Sequence, residues 1–145
     1  MSTLSQASAQ PTRLVTQEGG LKGAVELTGR ILLALMFLMS GLSKIGGYAA
    51  TAGYMAAMGV PGALLPLVIL TEVGGALAII LGWKTRIAAF LLAGFSLLTG
   101  AMFHNNFADQ TQMIMFMKNL SIAGAFLMLV VNGAGRFSLD ARRTK

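Results

Sequence analysis

Four long apolar runs, separated by short polar segments, dominate the sequence. They cover about residues 27–44, 64–82, 87–103 and 113–132. A helix needs about 20 mostly apolar residues to cross a bilayer, so each run predicts one membrane-spanning helix. The predicted fold class is therefore an all-α membrane protein, a bundle of four transmembrane helices.

The segment between the first two spans, residues 46–62, is less hydrophobic and rich in small residues. Tyr48, Met55 and neighbouring residues at helical spacing lie along one face, and Gly59 and Pro61 follow as helix-ending signals. This pattern predicts a short helix resting in the membrane interface. A plain connecting loop is the alternative.

The chain ends differ from the apolar runs in composition. Residues 1–23 are polar or small, which is typical of a flexible tail, residues 24–136 form the predicted membrane domain, and residues 137–145 form a basic tail. Positive residues cluster at both chain ends and in the hairpin that contains Lys84 and Arg86. The positive-inside rule therefore predicts that both termini are cytoplasmic.

Composition supports a membrane location and limits the chemistry. The chain is 55% hydrophobic and 11% charged, whereas about a quarter of the residues of a soluble domain are charged. The net charge of +6 comes mostly from cations that flank the apolar runs, so the expected partner is the lipid bilayer and not a nucleic acid. A homo-oligomer is compatible with the sequence.

The chain contains no cysteine and one histidine. This excludes disulfides, thiolate metal sites, iron–sulfur clusters and bis-histidine haem within the chain, and no metal site is expected. The sequence assigns no catalytic residue. If the protein takes part in redox chemistry, the electron carrier is a bound small molecule or belongs to a partner chain.

Glu72 lies near the middle of the second apolar run, where an unpaired carboxylate costs several kcal/mol. Three cations in other spans are candidates to compensate it, namely Arg30, Lys44 and Lys118. Arg30 and Lys44 share one helical stripe that should face the bundle, although Arg30 could instead pair with Glu26 one turn away. The predicted buried charge network is Glu72, Lys44, Lys118 and Arg30.

Two interpretations of this network remain open. It is either a proton or ligand site, for which Glu72, Lys118 and His104 are the candidates, or a structural ion pair that fixes the helix register. His104 ends the third span, and an imidazole titrates near neutral pH, but a histidine at this position also serves as an interfacial cap.

Five segments give the sequence a family resemblance over about residues 27–140. They are GRILLALMFLMSGLSKI, MAAMGVP, TEVGGALAIILGWKTR, FMKN and GAGRFSLD. In this order and spacing the chain resembles the DoxX family of small bacterial membrane proteins. The resemblance implies a four-helix fold in the bacterial inner membrane and an association with quinone redox metabolism, with ubiquinone or menaquinone as the expected small molecule. By position, it also points to Arg30, Lys44, Glu72 and Lys118.

Three functional hypotheses follow. The first is a quinone- or quinol-interacting subunit of a membrane redox system, without activity of its own, which receives electrons from a soluble or membrane partner. The second is a small transporter or channel that uses the buried charges as a relay. The third is a membrane scaffold without chemistry.

Overall fold

The computed structural model of the protein describes residues 10–144, and the side chains of residues 18–144. Six helices and no strand occur within this part of the chain. They are α1 (Gln10–Gly46), α2 (Tyr48–Ala57), α3 (Gly62–Leu81), α4 (Thr85–Phe103), α5 (Gln110–Asn132) and α6 (Leu139–Arg143). Four of them, α1, α3, α4 and α5, are long and apolar enough to cross a membrane, as predicted. We call the end of the bundle where α4 begins and α5 ends the terminal end, and the opposite end the far end.

Helix α1 begins well before the first predicted span. Part of the predicted flexible tail, residues 10–23, is helical, whereas residues 1–9 lie outside the described residues. Pro11 stands in the first turn, where its missing N–H breaks no hydrogen bond. Lys22 and Glu26, one turn apart with Nζ and Oε1 separated by 3.9 Å, add an exposed pair that favours the helix.

Helix α2 occupies the segment for which a short interfacial helix is predicted. It ends where Gly59 adopts a positive φ of 77°, and the Val60 N–H then donates to the Met55 carbonyl over 2.8 Å. Met55, Val60 and Leu65 pack together in a small apolar cluster at the far end. These contacts hold α2 against the bundle.

Helix α3 is not uniform. A 3-10 turn opens it at Gly62–Leu64, and a turn of π-helix interrupts it at Leu70–Gly74. It ends in a Schellman motif, in which Trp83 N–H bonds to the Ala78 carbonyl over 2.9 Å and Gly82 takes a φ of 68°. Glu72 lies within the π turn, so its position does not follow α-helical spacing from either side.

The centre and terminal half of the bundle are filled by apolar side chains. Phe37 packs edge-on against Phe126 with ring centroids 5.4 Å apart. Gly75 makes room for Leu92, since a Cβ there would lie 3.0 Å from the leucine side chain. The remaining buried members of this cluster are Ala34, Ala76, Ile79, Ala88, Ala89, Ala93 and Ala123. Large apolar side chains on the outer faces are exposed, as suits helices whose solvent is lipid.

Candidate ligand-binding cavity

Glu72 is held by Lys44 and Ser40 of α1. Lys44 Nζ donates to Glu72 Oε1 over 3.1 Å, and Ser40 Oγ donates to the same oxygen over 3.2 Å. Lys44 Nζ also donates to Ser40 Oγ over 2.6 Å, so the three groups form a closed triangle. The second carboxylate oxygen, Oε2, lies 3.0 Å from Lys44 Nζ as an ion-pair contact and accepts no directed hydrogen bond from the described residues.

Local backbone geometry brings the triangle together. Ser40 and Lys44 are four residues apart and therefore lie one above the other on α1. Between them Gly41 lets α1 approach the π turn of α3, because a Cβ at position 41 would lie 2.6 Å from Val73 Cγ2 and 3.3 Å from the Val73 nitrogen. π turns inside α-helices occur frequently at functional sites. Here the π turn carries the one carboxylate of α3.

The triangle forms part of the wall of a cavity of about 510 Å³, which extends from mid-bundle to the far end. Glu72 is almost fully buried, with 6% of its side chain exposed, whereas 24% of the Lys44 side chain is exposed. Lys44 is therefore the more accessible of the two residues. Most of the wall is apolar and comes from all four spans and α2, including Met36, Phe37, Met55, Val68, Phe95, Leu98 and Phe103.

Two further polar residues of the sequence prediction line the same cavity. His104 is half-buried, and its Nδ1 lies 2.9 Å from Gln112 Oε1, which fixes the ring. Lys118 is exposed and donates over 3.3 Å to the sulfur of Met115, on its own helix. Lys118 therefore shares the cavity with Glu72 but makes no ion pair with it in the part of the chain that the structure describes.

Arg30 does not belong to this group, which corrects the predicted four-membered network. It lies about four turns, or roughly 21 Å along α1, from Lys44. The side chain is buried at the terminal end, where it donates to the carbonyls of Ile79 over 3.1 Å and Ile80 over 3.4 Å, and to that of Phe137. Arg30 thus places its charge at the carbonyl end of α3, where the helix dipole favours a cation.

A second contact at the terminal end, between Asp140 and the α3–α4 hairpin, was not predicted from the sequence. Asp140 accepts the Lys84 N–H over 2.8 Å and the Thr85 N–H over 2.9 Å, and its own N–H donates to the Gly82 carbonyl over 2.8 Å. Burial raises the pKa of Asp140, but the hydrogen bonds from Thr85 and Lys84 outweigh it, so the pKa lies below its ordinary value. Residues 137–144 of the predicted basic tail are therefore folded, and they hold the α3–α4 hairpin in place.

Ser40 and Tyr54 were also missed as residues of the site. Ser40 had a signal, since it lies one helical turn before Lys44. Tyr54 of α2 stacks on Phe103 of α4 with ring centroids 5.7 Å apart, and both residues line the cavity. No local sequence pattern predicts this contact, because it depends on how α2 folds back onto the bundle.

Comparison with known proteins shows which family the chain matches. A family model described as DoxX matches residues 25–105, a range that includes Arg30, Lys44, Glu72 and His104. The inner membrane protein YqjF of Escherichia coli (strain K12) is 54% identical over 114 residues, which are 79% of this chain and 88% of YqjF. The inner membrane protein YphA of the same organism is 39% identical over 132 residues, 86% of this chain and 94% of YphA.

No solved structure matches the chain significantly. The relatives are inner membrane proteins, and the chain has four helices that could cross a membrane. It is an integral membrane protein. The family match covers more than half of the chain and YqjF is similar over most of its length, so the chain belongs to the DoxX family.

Proposed function

We propose that the protein binds a quinone or quinol in the cavity between its four spans, as part of a membrane redox system. The observation that carries the proposal is the position of the Lys44–Glu72–Ser40 triangle in the wall of a largely apolar cavity of about 510 Å³. This volume falls within the range of about 300–1,000 Å³ that is usual for small-molecule pockets.

The polar and apolar parts of the cavity suit the two parts of such a ligand. A quinone ring carries carbonyl oxygens that need hydrogen-bond donors, and Lys44, whose side chain is partly exposed, carries an ammonium group that can donate. The ring and its isoprenoid tail need an apolar surface, which the side chains of Phe37, Phe95 and Leu98 provide.

Glu72 and Ser40 have a supporting role in this proposal. Their oxygens hold the lysine in place before the ligand arrives, and such preorganisation reduces the cost of binding. When a bound quinone is reduced to the quinol, a redox partner protein supplies two electrons and water supplies two protons, which Glu72, the acid–base group beside Lys44, would pass to the quinone oxygens. The chain has no cysteine, so an iron–sulfur or thiol carrier would belong to that partner.

The transporter hypothesis has less support from the geometry. A proton or ion relay across the membrane needs polar groups in both halves of the bundle. The terminal half is instead filled by apolar side chains such as Ala34, Ile79 and Phe126. Arg30 lies beyond that filling, and its guanidinium is bonded to backbone carbonyls.

Titration of the purified protein in detergent with short-tailed ubiquinone and menaquinone analogues tests the proposal. We expect saturable binding that weakens about tenfold in Lys44→Met, equivalent to about 1.4 kcal/mol. Lys22→Met is the matched control, because it removes an exposed lysine at the other end of the molecule. The Lys44→Met/Glu72→Gln variant, which leaves no unpaired charge, guards against a loss of fold.

Partitioning that does not saturate and is the same in the wild type, Lys44→Met and Lys22→Met would refute the proposed site. Binding that saturates but ignores position 44 would place the ligand elsewhere on the protein.

A further inference from the structure

A second cavity, of about 590 Å³, lies at the terminal end, outside the site described above. It is bounded by the α3–α4 hairpin, the end of α5 and the start of α6. Lys84 and Arg86 line it together with Ile87, Asn132 and Gly133. The cavity opens where an inserted bundle would meet the lipid headgroups, since α4 begins and α5 ends there.

The charge of this cavity is positive. Its acidic residue, Asp140, has both carboxylate oxygens occupied by the backbone N–H groups of Lys84 and Thr85. Neither Lys84 nor Arg86 forms an ion pair with any residue that the structure describes. The Lys84 ammonium lies over the Trp83 ring, 5.3 Å from its centroid, which does not neutralise its charge, so two cations are available to an anion from outside the chain.

The side chain of Arg86 lies against the end of α5. Gly133 ends the helix with a φ of 76°, and a Cβ at this position would lie 3.5 Å from Arg86 Nε. The guanidinium thus lies across the end of α5. The neighbouring Asn132 uses its Nδ2 to donate to the Met128 carbonyl over 2.8 Å, which leaves its side-chain oxygen as an acceptor for a hydroxyl group.

An apolar stripe continues from the cavity along the outer face of α4. Ile87, which lines the cavity, is 61% exposed, and Leu91 and Leu98 follow on the same face at 58% and 59%, where Leu98 also borders the first cavity. Between them Gly94 leaves a notch, since nothing lies within 4 Å of a Cβ built there. An acyl chain could lie along this stripe.

The geometry points to a binding site for one anionic phospholipid, with its phosphodiester between Lys84 and Arg86 and an acyl chain along α4. Phosphate oxygens accept strong charge-assisted hydrogen bonds from lysine and arginine. Basic pockets between spans at a membrane surface suit anionic headgroups. Free phosphate shares the headgroup chemistry, but it has no apolar part to contact the stripe formed by Ile87, Leu91 and Gly94.

Native mass spectrometry of the purified full chain, equilibrated with equal amounts of phosphatidylglycerol and phosphatidylcholine, tests this site. We expect preferential retention of phosphatidylglycerol, and a loss of about fivefold in retention for each cation removed in Lys84→Gln/Arg86→Gln. The control is Lys22→Gln/Arg142→Gln, which removes the same charge from exposed positions at the same end, outside the cavity. A melting curve for each variant verifies the fold.

A second arm adds millimolar inorganic phosphate, which should leave the retained lipid in place. Equal losses in the two double variants would refute the site in favour of diffuse surface attraction. Phosphate that displaces the lipid completely, or equal retention of the two lipids by the wild type, would also overturn the proposal.

Discussion

Arg30 Nη1, on the first span, donates a hydrogen bond of 3.1 Å to the carbonyl oxygen of Ile79, in the last turn of the second. Its other terminal nitrogen, Nη2, donates to the Phe137 carbonyl in the segment that follows the fourth span. One buried guanidinium therefore joins three parts of the chain that are distant in sequence. The Ile79 carbonyl also accepts the Gly82 N–H over 3.2 Å, so the guanidinium is its second donor.

Replacement of Arg30 should therefore destabilise the protein more than replacement of an exposed arginine. Arg30→Met removes the hydrogen bonds from the guanidinium to the Ile79, Ile80 and Phe137 carbonyls, and we expect a loss of about 3 kcal/mol, since hydrogen bonds to charged groups contribute about 1.5–3 kcal/mol each. Arg30→Lys should recover part of this loss. Thermal melting in detergent measures the effect, with Arg142→Met as the control. Equal melting temperatures for Arg30→Met and Arg142→Met would contradict this role.

The pairing of Glu72 can be resolved by two double-mutant cycles. For Glu72→Gln with Lys44→Met we expect a coupling free energy of about 1–3 kcal/mol, because each single change leaves the partner polar group buried without its counterpart. For Glu72→Gln with Lys118→Met we expect additive losses, since Lys118 contacts Met115 instead. Chemical or thermal unfolding of the six proteins provides the values. A larger coupling with Lys118 than with Lys44 would show that the structure pairs the wrong lysine.

Gly41 should tolerate no side chain. In Gly41→Ala the new methyl group would lie 2.6 Å from Val73 Cγ2, which pushes α1 away from the π turn and lengthens the Lys44–Glu72 contact. We expect a loss of about 1–3 kcal/mol, as is usual for overpacking. Val73→Ala in the same protein should restore part of it.

The matched control for this change is Gly94→Ala, a glycine of α4 with nothing within 4 Å of its Cβ position. Alanine there should be neutral or stabilise the helix by up to about 1 kcal/mol. Similar melting temperatures for the two alanine variants would show that the close approach at Gly41 is unimportant.

Much of the fold was predictable because the bilayer imposes a simple rule on sequence. Each span needs a long apolar run, so the four spans could be recognised from hydrophobicity alone. The beginning of α1 at Gln10 could not be predicted, because a polar helix has no comparable signature in the sequence. The π turn at Leu70–Gly74 was also invisible, because one extra residue in a turn leaves the apolar composition unchanged.

The site was predictable in part. A carboxylate within a long apolar run is easily recognised in a sequence, so Glu72 could be identified. Lys44 was among its three candidate partners. The choice between lysines depends on how the helices are rotated about their axes, and hydrophobicity constrains this rotation poorly in a helix that is apolar all round. Asp140 was overlooked because an acid in a basic terminal segment resembles an ordinary surface residue.

Asp140 predicts a pH dependence of stability. Its folded pKa is depressed, so its stabilisation is present in full above the ordinary aspartate pKa of about 3.9 and is lost as the pH falls through the lower folded value. We expect Asp140→Ala to cost about 1 kcal/mol at pH 7, as for a lost helix cap. The difference between wild type and variant should shrink in melts at pH 4 and below. Glu18→Ala, at an exposed position, is the control, and a difference that grows in acid would contradict the sign.

The predicted orientation can be tested with single cysteines, because the native chain contains none. An impermeant maleimide should label Ala108→Cys in intact cells or spheroplasts, and Arg142→Cys only after permeabilisation. Both positions are exposed, whereas Thr85 in the α3–α4 hairpin is fully buried and would give an uninformative result. Labelling of position 142 but not 108 in intact cells would reverse the topology.

The contact between Asp140 and the α3–α4 hairpin also sets an order of events during synthesis. The ribosome delivers Lys84 and Thr85 first, and at about 5–20 residues per second Asp140 follows on the order of several seconds later. Until then the two N–H groups have only water as a partner, and the hairpin is held by its own turn. The newly made protein therefore closes its terminal end only after its fourth span has been synthesised.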